Sequence, residues 1–223
     1  MPGRTLAIGD IHGCDRALDT LLAEVNVHAE DTVVVLGDVV DRGPGTMQVI
    51  DRLLELRQQC QLYFIMGNHE EMLLNAMAGG EWQEAWMKHG GRQALDSYGG
   101  GFEDIPEEHY EFMRDGLDYL DTPRNIFVHA NLHPGIPLER QPPYALRWER
   151  LTALEPPWPT GQRVICGHTP QMNGDPLVFP GWIGIDTMAY ADHGWLTCLD
   201  TGTDVIYQAN QAGQSRVGYP GPQ

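Results

Sequence analysis

Little in this chain suits it to a nucleic acid, a membrane interior or a disulfide scaffold. Lys and Arg total 14 against 31 Asp and Glu, a net charge of −17. Binders of phosphate backbones carry the opposite balance, so association with DNA or RNA is not expected. The same acidity repels anionic membranes and favours solubility. No apolar run approaches the roughly 20 residues that a membrane span needs. Met1-Pro2-Gly3-Arg4 passes directly into strand-like sequence, with no charged region followed by an apolar signal core. Cysteine is scarce: Cys14, Cys60, Cys166 and Cys198 are scattered and form no C-x-x-C pair. Reduced thiols in a cytoplasmic protein are the expectation.

What is present fits an ordinary globular protein. At 223 residues the chain can bury a substantial core as one domain, and its 26 glycines and 16 prolines announce many loops. Thr5 to Ile8, Thr32 to Leu36 and Leu62 to Met66 read as strands. Helical spacing lies between and after them, over Arg16 to Val25, Thr46 to Cys60 and Glu70 to Ala78. This β-α-β-α-β order predicts an α/β layered sheet with its polar groups at the strands' carboxyl ends. Residues 79–122 hold short helical stretches with Trp82, Trp86, Leu95, Tyr98, Phe102, Tyr110 and Phe112, separated by Gly-Gly pairs. These aromatics read first as helix core, and second as a substrate-binding surface. Later strands are expected over Asn125 to His129, Arg163 to Cys166, Trp182 to Ile185, Trp195 to Cys198 and Asp204 to Tyr207. Their short, close spacing predicts a second, mainly antiparallel sheet. Pro134 to Pro159 is irregular and suited to an active-site rim, and the polar, Gly-rich segment from Ala209 is expected to be loose.

Five apolar runs end in residues of metal-ligand type, four of them beside a glycine. They are "GDIHG" (Asp10, His12), "GDVVDRG" (Asp38, Asp41, Arg42), "GNHE" (Asn68, His69), "FVHANLHPG" (His129) and "CGHTP" (His168). Each alone could be a turn; five turns of this chemistry are hard to attribute to chance. Asp, His and Asn without a thiolate suit Mn, Fe or Zn in a solvent-accessible site. Two such ions about 3.5–4 Å apart can activate water and clamp the oxygens of an in-line displacement at phosphorus. A nearby guanidinium fork then matches two phosphate oxygens. His69 follows one ligand candidate and is placed to protonate a leaving oxygen.

These blocks resemble the metallophosphoesterase superfamily in its phosphoprotein phosphatase branch, most closely small bacterial and phage lambda-type serine/threonine protein phosphatases. The resemblance spans about residues 5–200. It implies a calcineurin-like fold, a two-sheet β-sandwich flanked by helices, and two divalent metal ions, Mn first with Fe or Zn as alternatives. Asp10, His12 and Asp38 would make one metal site, with Asp38 bridging to a second made by Asn68, His129 and His168. A metal-bridging hydroxide would attack phosphorus. Arg42, Asn68 and an arginine near Trp148 would hold the phosphate, and His69, oriented by Asp41, would act as general acid. The family's W-x-R order favours Arg150 over Arg147 in "LRWER". Met188 stands where the family usually has glycine after its I-D-T, which puts the local turn in question.

The implied organisation is one catalytic domain over residues 1–208 with a helical insertion at 79–122, then a loose tail at 209–223. The expected substrates are phosphorylated proteins or peptides. The alternative is a dinucleoside polyphosphate such as diadenosine tetraphosphate, and a non-catalytic phosphopeptide-binding module is a third. His28, His89, His109 and His193 fall outside the blocks and read as surface or hydrogen-bonded residues. Oligomeric state has no signature in the sequence.

Overall fold

In the computed structural model, which describes residues 3–221, two mixed sheets pack face to face between helices. The first half of the chain runs β1 (Thr5–Ile8), α1 (Asp15–Val25), β2 (Thr32–Val35), α2 (Thr46–Arg57), β3 (Gln61–Phe64) and α3 (Asn68–Ala76). Then come α4 (Glu81–Trp86), α5 (Arg92–Tyr98), α6 (Glu107–Arg114), β4 (Tyr119–Asp121), β5 (Asn125–Val128) and α7 (Pro143–Trp148). The chain closes with β6 (Arg163–Cys166), β7 (Leu177–Phe179), β8 (Trp182–Gly184), β9 (Leu196–Asp200), β10 (Ile206–Ala209) and β11 (Ser215–Gly218).

Strand alternation builds the layers. In β1 and β2, Leu6, Ile8, Val33 and Val35 face the helical layer, while Ala7 and Val34 face the opposite sheet. Phe127, Ile165 and Ile183 meet them from the second sheet, and their neighbours Ile126, Val128, Val164 and Trp182 turn to its outer face. Strands buried on both faces read as continuous apolar runs, as β1 and β2 do.

The later strands depart from expectation. The second sheet runs β4-β5-β6-β8-β7, and its central pairs β5–β6 and β6–β8 are parallel, not antiparallel. β9, β10 and β11 leave it and extend the first sheet through the antiparallel β1–β9 pair, giving the order β11-β10-β9-β1-β2-β3. Short strands invite a hairpin reading, but here long connections return each of β5, β6 and β8 in one direction. The stretch expected to be loose from Ala209 instead forms a hairpin, with Ala209 opposite Ser215. Polar groups hold it: Asn210 Oδ1 accepts the Gln214 N–H at 3.0 Å, and Arg216 reaches Gln208 and lies 4.5 Å over the Trp195 ring. Met1, Pro2, Pro222 and Gln223 lie outside the described residues.

The consequence for function is directional. β1, β2 and β3 run parallel in one sheet, β5, β6 and β8 in the other. Asp10, Asp38, Asn68, His129, His168 and Asp186 each follow one of these strands by no more than a few residues.

Candidate active site

The loops after β1 and β2 are laced together before any side chain acts. Ile11 N–H and His12 N–H both donate to the Asp38 carbonyl, at 3.0 and 2.8 Å, and Gly13 N–H donates to Val39. His12, Asp38 and His168 sit at φ values of +49°, +49° and +60°, and Asp41 and Arg42 at +72° and +66°. Such left-handed residues cost roughly 1–2 kcal/mol each and persist only where their surroundings over-determine them. Glu70 is one such determinant, and the motifs did not single it out. Its buried carboxylate accepts the N–H groups of Gly67, Asp38 and Val39 at 2.9, 2.9 and 2.8 Å. Gly67 is required beside it, because a Cβ there would fall 2.2 Å from Asp38 Oδ1.

Three histidines present unprotonated nitrogens to a common centre. His12 Nδ1 donates to the Val40 carbonyl at 3.0 Å, His129 Nδ1 to Leu36 at 2.7 Å and His168 Nε2 to Trp148 at 3.0 Å. A neutral imidazole has one N–H, so the inner nitrogen of each is a lone pair. Burial above all keeps them neutral: it lowers His129 and, with His69 beside it, lowers His12 well below the usual imidazole range. Burial and His129 push His168 down to about 4. Those lone pairs face further acceptors. His12 Nε2 lies 3.6 Å from Asp38 Oδ2, and His129 Nε2 lies 3.4 Å from Asp38 Oδ1. Asn68 Oδ1 stands 3.1 Å from His129 Nε2 and 2.9 Å from His168 Nδ1.

Lone pairs converging on carboxylate and amide oxygens are a donor set for cations. The acids make the same point. Burial, then Asp186 and Asp38, raise Asp10 well above the carboxylate range; burial and Asp38 raise Asp186 to about 6. A cation would relieve both. In the structure a guanidinium already exploits this field: Arg42 places one nitrogen 2.5 Å from His12 Nε2 and another 2.9 Å from His69 Nε2. The residues therefore fit divalent metals.

Two trios have ligand atoms mutually within 4.8 Å: His12, Asp38 and His69, and Asp38, His129 and His168. Asp38 is common to both among the described residues. The first trio contains His69 where the sequence expects Asp10. Asp10 lines the same cleft, with its carboxylate accepting the His168 N–H at 3.1–3.2 Å.

His69 has a second partner. Its Nδ1 lies 2.6 Å from Asp41 Oδ2, and Asp41 also accepts the Trp86 indole N–H at 2.9 Å on each oxygen. Because Arg42 can only donate, His69 Nε2 is an acceptor here and Nδ1 carries the proton. Burial opposes a charge on His69, but Asp38 and the Asp41 hydrogen bond outweigh it and raise its pKa.

Asp10, Asp38, Asn68, His69 and His168 line a cleft of about 270 Å³ with Arg42, Trp148, Arg150, Asp186, Tyr190 and His89. A larger hollow of about 510 Å³ lies elsewhere, around Arg4, Arg124 and Thr201, and holds none of the motif residues. Arg150 reaches the cleft. Arg147 does not; it pairs with Glu71 and Asp118. Arg42 stacks 4.6 Å over the Tyr190 ring. The motifs do not single out Asp186, Tyr190 or His89 as site residues; His89 is exposed and hydrogen-bonded to the Ala85 carbonyl at 2.8 Å, as expected, and it also lines the cleft. Met188 keeps the turn after Asp186 at a φ of +58°, and its N–H donates to Asp186 Oδ1 at 3.0 Å.

The model of the calcineurin-like phosphoesterase family matches residues 3–172. A symmetrical bis(5'-nucleosyl)-tetraphosphatase of Proteus mirabilis is 41% identical over 75 residues, 33% of this chain and 27% of that protein. The matched stretch thus spans about a quarter of that relative's length. Among solved structures, a candidate diadenosine tetraphosphatase superposes with a TM-score of 0.70 at 23% identity, covering 99% of this chain and 96% of the other. A cold-active protein tyrosine phosphatase superposes with a TM-score of 0.67 at 16% identity, covering 97% and 79%. At those identities the likeness concerns the fold.

Proposed function

This chain belongs to the calcineurin-like phosphoesterase family, and from that premise we propose that it hydrolyses dinucleoside polyphosphates, cleaving diadenosine tetraphosphate symmetrically. The observation that carries the substrate is the local identity to symmetrical bis(5'-nucleosyl)-tetraphosphatases. It reverses the order in which the motifs alone rank the two substrates. The second reading, a phosphoprotein phosphatase, rests on the D-R-G and N-H-E blocks.

Asp10, His12, Asp38, Asn68, His129 and His168 would hold two divalent ions, Mn first, with Fe or Zn as alternatives. When bound, the ions neutralise phosphate charge and lower the pKa of water so that it becomes nucleophilic near neutral pH. The chain's own residues do the rest. Arg42 and Arg150 supply guanidinium forks to phosphate oxygens, which metals and arginines must do in a protein of net charge −17. Tyr190 keeps Arg42 at the cleft wall. Water adds to one central phosphorus, the P–O bond to the bridging oxygen breaks, and His69 delivers a proton to that oxygen. The balance is one tetraphosphate and one water to two ADP. Asp41 holds Nδ1–H and favours the imidazolium, so that Nε2, once Arg42 turns from it to phosphate, takes the second proton and delivers it.

Among the described residues no helix is long and apolar enough to cross a membrane, and all four cysteines are buried and unpaired. Free thiols support a cytoplasmic setting. The test is product analysis. Mn-loaded protein should convert diadenosine tetraphosphate to ADP alone. AMP with ATP would overturn symmetric cleavage, and an unchanged nucleotide would overturn the substrate.

A further inference from the structure

Trp86 looks at first like an ordinary core aromatic. It is fully buried, lies 5.4 Å from Phe102, and is seated so tightly on Gly91 that a Cβ there would fall 2.5 Å from the indole ring. Core packing accounts for the ring but not for its nitrogen. Nε1–H donates to both oxygens of Asp41, at 2.9 Å each, across 45 positions of sequence. Indole has a donor and no acceptor, so Asp41 must receive the bond. Oδ2 of the same carboxylate also faces His69 Nδ1, at 2.6 Å.

We propose that Trp86, carried in by the helical insertion, is the positioning residue of the His69–Asp41 pair. A carboxylate gripped only by an imidazole can rotate about its own axis and carry the ring with it. Held as well by a donor that spans both oxygens, its plane is set, and the ring is set through it. The inserted segment has a second hold on the site. The π-type turn Met87–Gly91 is kinked at Gly90, whose carbonyl accepts the Arg42 N–H at 3.4 Å. His89 of the same turn lines the cleft. One segment therefore fixes the backbone of a phosphate-binding candidate and the orientation of a proton-donor candidate. This inference rests on the role given to His69 above, and its test separates the two.

The test uses the full chain loaded with Zn, which is diamagnetic. The hydrogen-bonded His69 Nδ1–H should give a downfield proton signal, identified by its loss in His69→Asn. In Trp86→Phe, which keeps an aromatic ring and removes the donor, that signal should shift or broaden while metal content stays unchanged. Turnover of diadenosine tetraphosphate should fall by about tenfold with KM little changed, since positioning supplies a share of a general-acid effect. If Trp86→Phe fails to fold, benzothienylalanine at position 86 keeps the indole shape with sulfur in place of N–H, and the same signal decides. An unmoved signal in the folded variant overturns the inference. Unchanged turnover of diadenosine tetraphosphate in metal-loaded His69→Asn would instead overturn the proton-donor role, leaving the signal to judge Trp86.

Discussion

Arg147 and Arg150 lie one turn apart in sequence yet face different worlds. Arg147 is bound by Glu71 and Asp118, whereas Arg150 is exposed and lines the cleft. Glu71 also accepts the Trp148 indole N–H at 2.7 Å, so it anchors the segment that presents Arg150. Arg150→Ala should weaken inhibition by inorganic phosphate by about 1.5–3 kcal/mol, the scale of a charge-assisted fork to an anion, with metal content unchanged. Arg147→Ala should act on thermal stability before it acts on phosphate inhibition. A larger inhibition defect in Arg147→Ala would reverse the assignment.

Asp38 is the hinge of the metal proposal. It belongs to both ligand trios, with Oδ1 3.4 Å from His129 Nε2 and Oδ2 3.6 Å from His12 Nε2. Asp38→Asn should lose both ions together in metal analysis of dialysed protein. Loss of one ion alone would assign Asp38 to a single site, and full occupancy would remove it from the ligand set.

The ligand candidates were legible because each is announced locally, by an apolar run that stops at glycine and a polar side chain. Asp10, Asp38 and Asn68 needed no long-range information. Trp86 had the same spacing and company as any core aromatic; only the position of Asp41 in space gives its N–H a purpose. Glu70 and Asp186 were visible as letters beside motifs, but their roles depend on which backbone groups and acids surround them. Sheet membership failed for a related reason. The pairing of β9 with β1 joins Leu6 to Asp200, and no local pattern encodes a partner so distant. The two-layer α/β architecture itself was readable, since the unbroken apolar runs of β1, β2 and β5 already demand cover on two faces.

Far from the cleft, Arg4 and Asp31 make a pair suited to a test of acid stability. Burial alone would raise Asp31, but hydrogen bonds from the Arg4 side chain, His28 N–H and Arg4 N–H push it down to about 2. The unfolded value is about 3.9. A depressed carboxyl stabilises the fold above its unfolded pKa and loses that contribution as pH falls from about 4 toward 2. Because Arg4 is partly exposed, about 1–2 kcal/mol is expected at neutral pH. Asp31→Asn should lower Tm at pH 7, and the difference from the unsubstituted protein should shrink near pH 2. A difference independent of pH would contradict the pairing.

Met188 occupies a left-handed turn at a φ of +58°. Glycine adopts that conformation freely, and the strain on an L side chain is roughly 1–2 kcal/mol. The side chain is half-buried, which offsets part of the gain. Met188→Gly should raise stability to thermal or urea denaturation by about 0.5–1 kcal/mol. A destabilised variant would show that Met188 contributes more by packing than its backbone costs.

The substrate is decided by one comparison on the Mn-loaded protein: kcat/KM for diadenosine tetraphosphate beside phosphoserine, phosphothreonine and phosphotyrosine peptides, at equal metal occupancy. Dinucleoside polyphosphate hydrolysis predicts the highest value for diadenosine tetraphosphate, lost on metal removal and restored on its return. A higher value for any phosphopeptide would contradict it and return the chain to the phosphoprotein reading.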